Sequence, residues 1–243
     1  KSKLKSKLKG TYPMPTARRL YRLSQAIHNR QQDIIIALDH IHDQHNLSAV
    51  IRTADAAGFG RIIWVPDFRK PESVNPEVSK GSERWVNLTV TEDLKSDLAA
   101  LKKQGYKIAA THMGRKAQDF RSIDWTQPWV VVFGNEHRGC EDAVVEMADA
   151  NIFLPMQGFV QSLNISVAAA VTLYEIQRQR AEKGMYSKSA PKEQVEELYS
   201  QWGLAEDKIE LNDLYKRIEG EMPQPDESHQ DGRENCKFLK INK

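Results

Sequence analysis

Three stretches of this sequence carry side chains that could do chemistry: "HIHDQHN" (40–46), "FGNEHRGC" (133–140) and "MQGFVQSLN" (156–164). In the first, His40, His42 and His45 are close enough to suggest a metal, yet no cysteine and no second ligand cluster joins them, so solvated or hydrogen-bonding imidazoles are favoured over a metal site. A nucleophilic role for Ser162 would need a GxSxG elbow, and "VQSLN" is not one. No GxGxxG opens the first helix and no GxxxxGK[ST] occurs, which disfavours dinucleotide and nucleoside-triphosphate sites. Cys140 and Cys236 lack CxxC spacing and are expected to be reduced thiols. What remains is a polar, glycine-bearing loop set between an apolar strand and an apolar helix, and two more polar loops that need a scaffold.

The scaffold is legible as alternation. Short runs rich in β-branched residues occur at 33–39, 61–65, 86–90, 106–111, 129–133 and 151–155, separated by segments of helical period. Strands apolar on both faces alternating with helices predict an α/β fold: a mostly parallel sheet with helices on both faces. In "NLSAVIRTADAAGFG", Leu47, Val50, Ile51, Ala54 and Ala57 form one stripe, with Ser48, Arg52 and Asp55 on another face and Gly58 or Gly60 as the stop. "DLKSDLAALKKQG" ends likewise at Gly105. In an open parallel sheet, ligands collect beyond the carboxyl ends of the strands, where all three polar loops would lie.

Composition sets the boundaries. The 243 residues suffice for one sizeable domain with appendages, and no apolar run approaches the ~18 residues of a membrane span, so the expected location is the cytoplasm. The net charge of +2 hides an asymmetry: residues 1–30 hold five Lys, four Arg and no acid, leaving a net −7 on the rest. A basic arm suits a polyanion, whose counterions it displaces, although a low-complexity "KSKLKSKLKG" also suits a solvated tail. We therefore divide the chain into a basic arm with a short amphipathic helix (1–30), an α/β domain (31–182) and a C-terminal extension of one or two helices with a partly disordered end (183–243). Residues 191–243 carry eight basic against thirteen acidic side chains.

The segments "HNLSAVIRTADAAG", "VVFGNEHRG" and "IFLPMQGFVQSLNISVAAAVTLYE" resemble, in order and spacing, the three motifs of the SpoU branch of the SPOUT methyltransferases, most closely the TrmH-type tRNA guanosine 2′-O-methyltransferases. The resemblance spans roughly residues 31–182. It implies a SPOUT fold whose C-terminal part forms a deep trefoil knot, S-adenosylmethionine as methyl donor, tRNA as substrate with the D-loop guanosine as target, and a homodimer. The odd loop then belongs to the knot and surrounds the donor. A ribosomal-RNA enzyme of this type is disfavoured, since 30 residues leave no room for an added RNA-binding domain.

By position, the resemblance assigns donor contacts to Thr111, Gly134, Leu154, Gly158 and Leu163, with Gly158 permitting close backbone approach. Arg52 matches the catalytic arginine, Asn46 the motif-one asparagine, Glu136 the motif-two carboxylate, and Ser162 and Asn164 the motif-three positions that shape the pocket. Without the motifs, Arg52 with Glu136 reads as a surface ion pair, Asn46 and Asn164 as helix N-caps, and Leu154 and Leu163 as core. A guanidinium stays cationic up to pH ~12, so Arg52 is expected to organise phosphate and hydroxyl, with the proton acceptor open. Arg18, Arg19, Arg22 and Arg30 are expected to contact RNA; the acidic extension departs from the family, which places more of that load on the arm.

Overall fold

The computed structural model describes residues 15–66, 81–135 and 138–224. The chain divides into two compact units, residues 29–190 and a second formed by residues 1–28 with 191–243. The described parts of the two flanking segments, separate in the sequence-based division, thus fold as one unit.

The larger unit is a seven-stranded sheet. Its strands are β1 (Gln31–Leu38), β2 (Phe59–Trp64), β3 (Asn87–Val90), β4 (Lys107–Thr111), β5 (Gln118–Asp119), β6 (Trp129–Phe133) and β7 (Ala150–Phe153), in the order β3-β2-β1-β6-β4-β7-β5. Every pairing is parallel. All six anticipated strands are present, and β5, two residues long, is added. Along β1, Ile34, Ile36 and Leu38 enter one core while Ile35 and Ala37 enter the other; β6 splits the same way, with Val131 and Phe133 against Val130 and Val132. Such side chains contribute roughly 1.5–3 kcal/mol each when fully buried, so both faces must be covered.

The first face is covered by α2 (Gln44–Ala57) and α5 (Ile165–Glu182), which pack on each other. The predicted stripe of Leu47, Val50, Ile51, Ala54 and Ala57 is buried there against Ile165, Ala169, Leu173 and Ile176. Ser48, placed by the sequence on the polar face, is fully buried, whereas Arg52 is exposed as expected. Gly58 ends α2 at φ +88°, a conformation that favours glycine. The second face is covered by α3 (Leu94–Lys103) through Leu94, Leu98 and Leu101, and by the short α4 (Asp142–Met147) through Val144.

Arg180, near the end of α5, is fully buried with every guanidinium nitrogen occupied. It forms a bidentate pair with Asp33 at 2.6 and 3.0 Å and donates to Gln31 Oε1 and to the carbonyls of Trp125 and Gln127. It therefore ties α5 to the start of β1 and to the approach to β6.

In the smaller unit, α1 (Ala17–Asn29) is joined to the C-terminal segment by polar contacts. Ser24 Oγ accepts from the Ile218 amide, His28 Nε2 meets the Leu214 carbonyl at 3.0 Å, and Arg19 pairs with Asp207. The segment contributes α6 (Lys192–Gln201) and a 3-10 turn at Leu211–Leu214. Among the described residues, no helix is long and apolar enough to cross a membrane.

Candidate active site

Strands β6, β4 and β7 are neighbours, and the loops leaving their carboxyl ends converge. Between them lies a cleft of about 220 Å³. Thr111 ends β4, Gly134, Asn135 and Gly139 come from the loop after β6, and Leu154, Ser162 and Leu163 from the loop after β7. The position follows from topology, because β1–β3 run outward on one side and β6, β4, β7 on the other, and parallel sheets bind ligands near such a switch.

The described ends of the loop after β6 meet. Asn135 and Gly139 exchange backbone hydrogen bonds at 3.0 and 2.8 Å. This brings residues 139 and 140 so near Gly134 that an added Cβ would lie 2.1 Å from the Cys140 nitrogen and from the Gly139 carbonyl carbon. No side chain fits there. Thr111 locks the floor: its hydroxyl donates to the Val132 carbonyl at 3.1 Å and accepts from the Gly134 amide at 3.3 Å. Beneath it the Cys140 thiol faces the Thr111 and Val132 carbonyls, and burial pushes its pKa up to about 12, so it is a packing group at neutral pH.

Of the anticipated donor contacts, Thr111, Gly134, Leu154 and Leu163 all line the cleft, as does Ser162. Gly158 does not: it sits exposed, outside the lining, where a Cβ would meet nothing within 4 Å. The backbone approach that demands glycine occurs at Gly134, because its loop turns back on itself. Asn164 caps α5, its Oδ1 accepting from the Ser166 amide at 2.9 Å and the Ser166 hydroxyl. Asn46 is buried within α2, whose cap is Asp43, so the capping alternative applies to one asparagine and not the other. Arg52 stands exposed on α2. Glu136 lies outside the described residues.

The expected RNA contacts divide. Arg22 is exposed on α1, Arg18 half-buried, and Arg19 held by Asp207. Arg30 is instead 3% exposed, paired with Asp55 at 2.8 Å and bonded to the Phe59 carbonyl, since it fills the space beside Gly60. Its guanidinium is committed to the α/β unit. Of the three histidines weighed for a metal, His42 and His45 are exposed, and only His40 clusters, with Asp39 and Glu141, their ligand-type atoms within 4.8 Å. Both Asp39 oxygens there already accept hydrogen bonds from protein. Arg180, at the amino ends of β1 and β6, and Asp39, which fastens the loop after β6, were not singled out by sequence reasoning; apart from His40 beside Asp39, their partners are distant in the chain.

A doubly covered parallel sheet with a cleft built from three polar loops at its carboxyl edge defines an α/β protein with a ligand site above β4, β6 and β7. The chain belongs to the SpoU rRNA Methylase family, which it matches over residues 33–174. It is 39% identical to the tRNA (guanosine(18)-2'-O)-methyltransferase of Aquifex aeolicus over 186 residues, 76% of this chain and 88% of that protein. To the Thermus thermophilus protein of that name it is 40% identical over 181 residues, 71% of this chain and 89% of the other. The crystal structure of the A. aeolicus TrmH/SpoU tRNA modifying enzyme superposes with a TM-score of 0.73 at 38% identity, covering 79% of this chain and 98% of that one. An AdoMet-bound rRNA methyltransferase from Sinorhizobium meliloti gives 0.52 at 29% identity, covering 64% and 59%. The mostly parallel sheet with its covering helices matches the SPOUT fold of these enzymes.

Proposed function

We propose that this chain transfers a methyl group from S-adenosylmethionine to the ribose 2′-hydroxyl of guanosine 18 in tRNA. The observation that carries this is the coincidence of motif and cleft: loops bearing the second and third motifs, together with Thr111, enclose one cavity, in a chain spanning 88% and 89% of relatives named for that reaction. The residues fit the donor. Leu154, Leu163, Ile152 and Phe133 offer apolar walls for an adenine ring, while the loops after β6 and β7 offer main-chain and hydroxyl partners for its polar groups. When bound, the donor supplies an electrophilic methyl group on a sulfonium.

The chain's own residues do the remainder. A ribose hydroxyl is a weak nucleophile, so rate comes largely from holding its oxygen in line with the methyl group. Arg52 orients the adjoining phosphate and hydroxyl by charge-assisted hydrogen bonds, and Glu136 orients Arg52 or the ribose. Asn46, Ser162 and Asn164 shape the wall on which the ribose rests, Asn164 through its cap on α5. Thr111 and Gly134 hold the donor-side backbone rigid.

The loops after β6 and β7 form the trefoil knot of the family. The chain is a homodimer through α5, which buries Ile165, Ala169, Leu173 and Ile176 but leaves Val167, Val171 and Tyr174 exposed at positions i, i+4 and i+7, a second apolar stripe without a covering element among the described residues of the unit. Arg18, Arg19 and Arg22 with the arm contact tRNA in the cytoplasm. Calorimetric titration with S-adenosylmethionine, followed by methyl transfer to tRNA transcripts carrying guanosine or 2′-deoxyguanosine at position 18, tests the reading: binding and transfer to the first alone are expected. Absence of binding heat would leave only an RNA-binding protein.

A further inference from the structure

Asp39 and His40 follow β1 directly, and each reaches the loop after β6. Asp39 is buried, its side chain 2% exposed. Its Oδ2 accepts from the Glu141 amide at 2.9 Å, at the far end of the loop, and its Oδ1 accepts from His40 Nδ1 at 2.7 Å. The Asp39 amide donates to the Phe133 carbonyl at 2.9 Å, just before the loop, and Asn135 Nδ2 donates to the His40 carbonyl at 2.8 Å, near its start. Both ends of the loop are thus fastened to one dipeptide. His40 adopts φ +54°, in the left-handed region that non-glycine residues seldom occupy, and this conformation accompanies a carbonyl bonded to Asn135 and a ring bonded to Asp39. Downstream, the same segment leads through the Asp43 cap into α2 and Arg52.

We propose that Asp39, braced by His40, is a positioning residue of the methyl-transfer site, holding Gly134, Asn135 and residues 138–141 in their donor-binding shape. The inference rests on the reading of the cleft as the donor site. A carboxylate suits this position because it is acceptor-only and meets two donors, the Glu141 N–H and the His40 Nδ1–H. An amide there must turn its NH2 toward one of them and lose that bond. The loop supplies Gly134, Asn135 and Gly139 to the cleft, so a small displacement reaches the donor before it reaches the core.

The test uses the full chain with Asp39→Asn and with His40→Asn, the latter chosen because asparagine tolerates the left-handed backbone. Melting temperature, donor affinity by calorimetry, and KM and kcat for methyl transfer are compared with wild type. The expected result is a donor Kd and KM raised about tenfold or more in both variants, with kcat at saturating donor and melting temperature close to wild type. If Asp39→Asn melts early, His40→Asn decides alone. Unchanged donor affinity in the variant that folds, or a fall in kcat with KM unmoved, overturns the proposal. Wild-type protein that binds no donor would instead sink the reading of the cleft itself.

Discussion

Gly134 and Cys140 are packed backbone to backbone: a methyl group on the first would fall 2.1 Å from the amide nitrogen of the second. Neither neighbour is a flexible side chain that could swing aside, so Gly134→Ala must open the loop that forms one wall of the cleft. Donor affinity should fall by about tenfold or more, an order-of-magnitude expectation for a displaced wall, while Gly158→Ala, in open space, should bind as wild type does. Calorimetry on the two variants checks the contrast.

Asp33→Asn should destabilise the α/β unit by about 2–3 kcal/mol, read as a shift in denaturant midpoint. The variant leaves Arg180 fully buried with its charge uncompensated; a fully buried pair would cost ~3–5 kcal/mol, and Asp33, 39% exposed, is partly screened by solvent.

Tyr174→Asp or Val171→Asp places a charge on the exposed stripe of α5, away from its buried face. Sedimentation should show a homodimer for wild type and monomers for the variants, at unchanged helical content. A monomeric wild type would remove the dimer.

His28 should make stability pH-dependent. Burial lowers its pKa below the usual 6.5, and the contact with the Leu214 carbonyl only partly opposes this. The unfolded chain therefore takes up a proton more readily than the folded one, so this contribution is present above pH ~6.5 and is lost as pH falls below it. Thermal melts between about pH 7.5 and 5.5 should show a decline that His28→Gln lacks.

The sheet was legible because strands buried on both faces read as unbroken β-branched runs, and α2 because its stripe repeats at helical period. β5 was not, since two residues display no period. Ser48 is fully buried despite its polarity, on a helix that packs against both α5 and the sheet. The cleft was readable from motifs, Thr111, Gly134, Leu154, Ser162 and Leu163 all meeting there. Local sequence could not reveal which glycine was sterically required, because the neighbour of Gly134 is fixed by the backbone hydrogen bonds between Asn135 and Gly139. Arg30 and Arg180 look alike as cations in a string; only contacts with Asp55 and Asp33 show that both are interior.

The central claim is that this cleft delivers a methyl group to one ribose oxygen beside Arg52. Incubating wild type and Arg52→Ala with labelled S-adenosylmethionine and tRNA, then mapping the product by nuclease digestion and mass spectrometry, tests it most directly. Wild type should place one methyl on the ribose of guanosine 18, and Arg52→Ala should place essentially none while still binding the donor. A methyl on a base or at another nucleotide, or near-normal transfer by Arg52→Ala, would contradict the account.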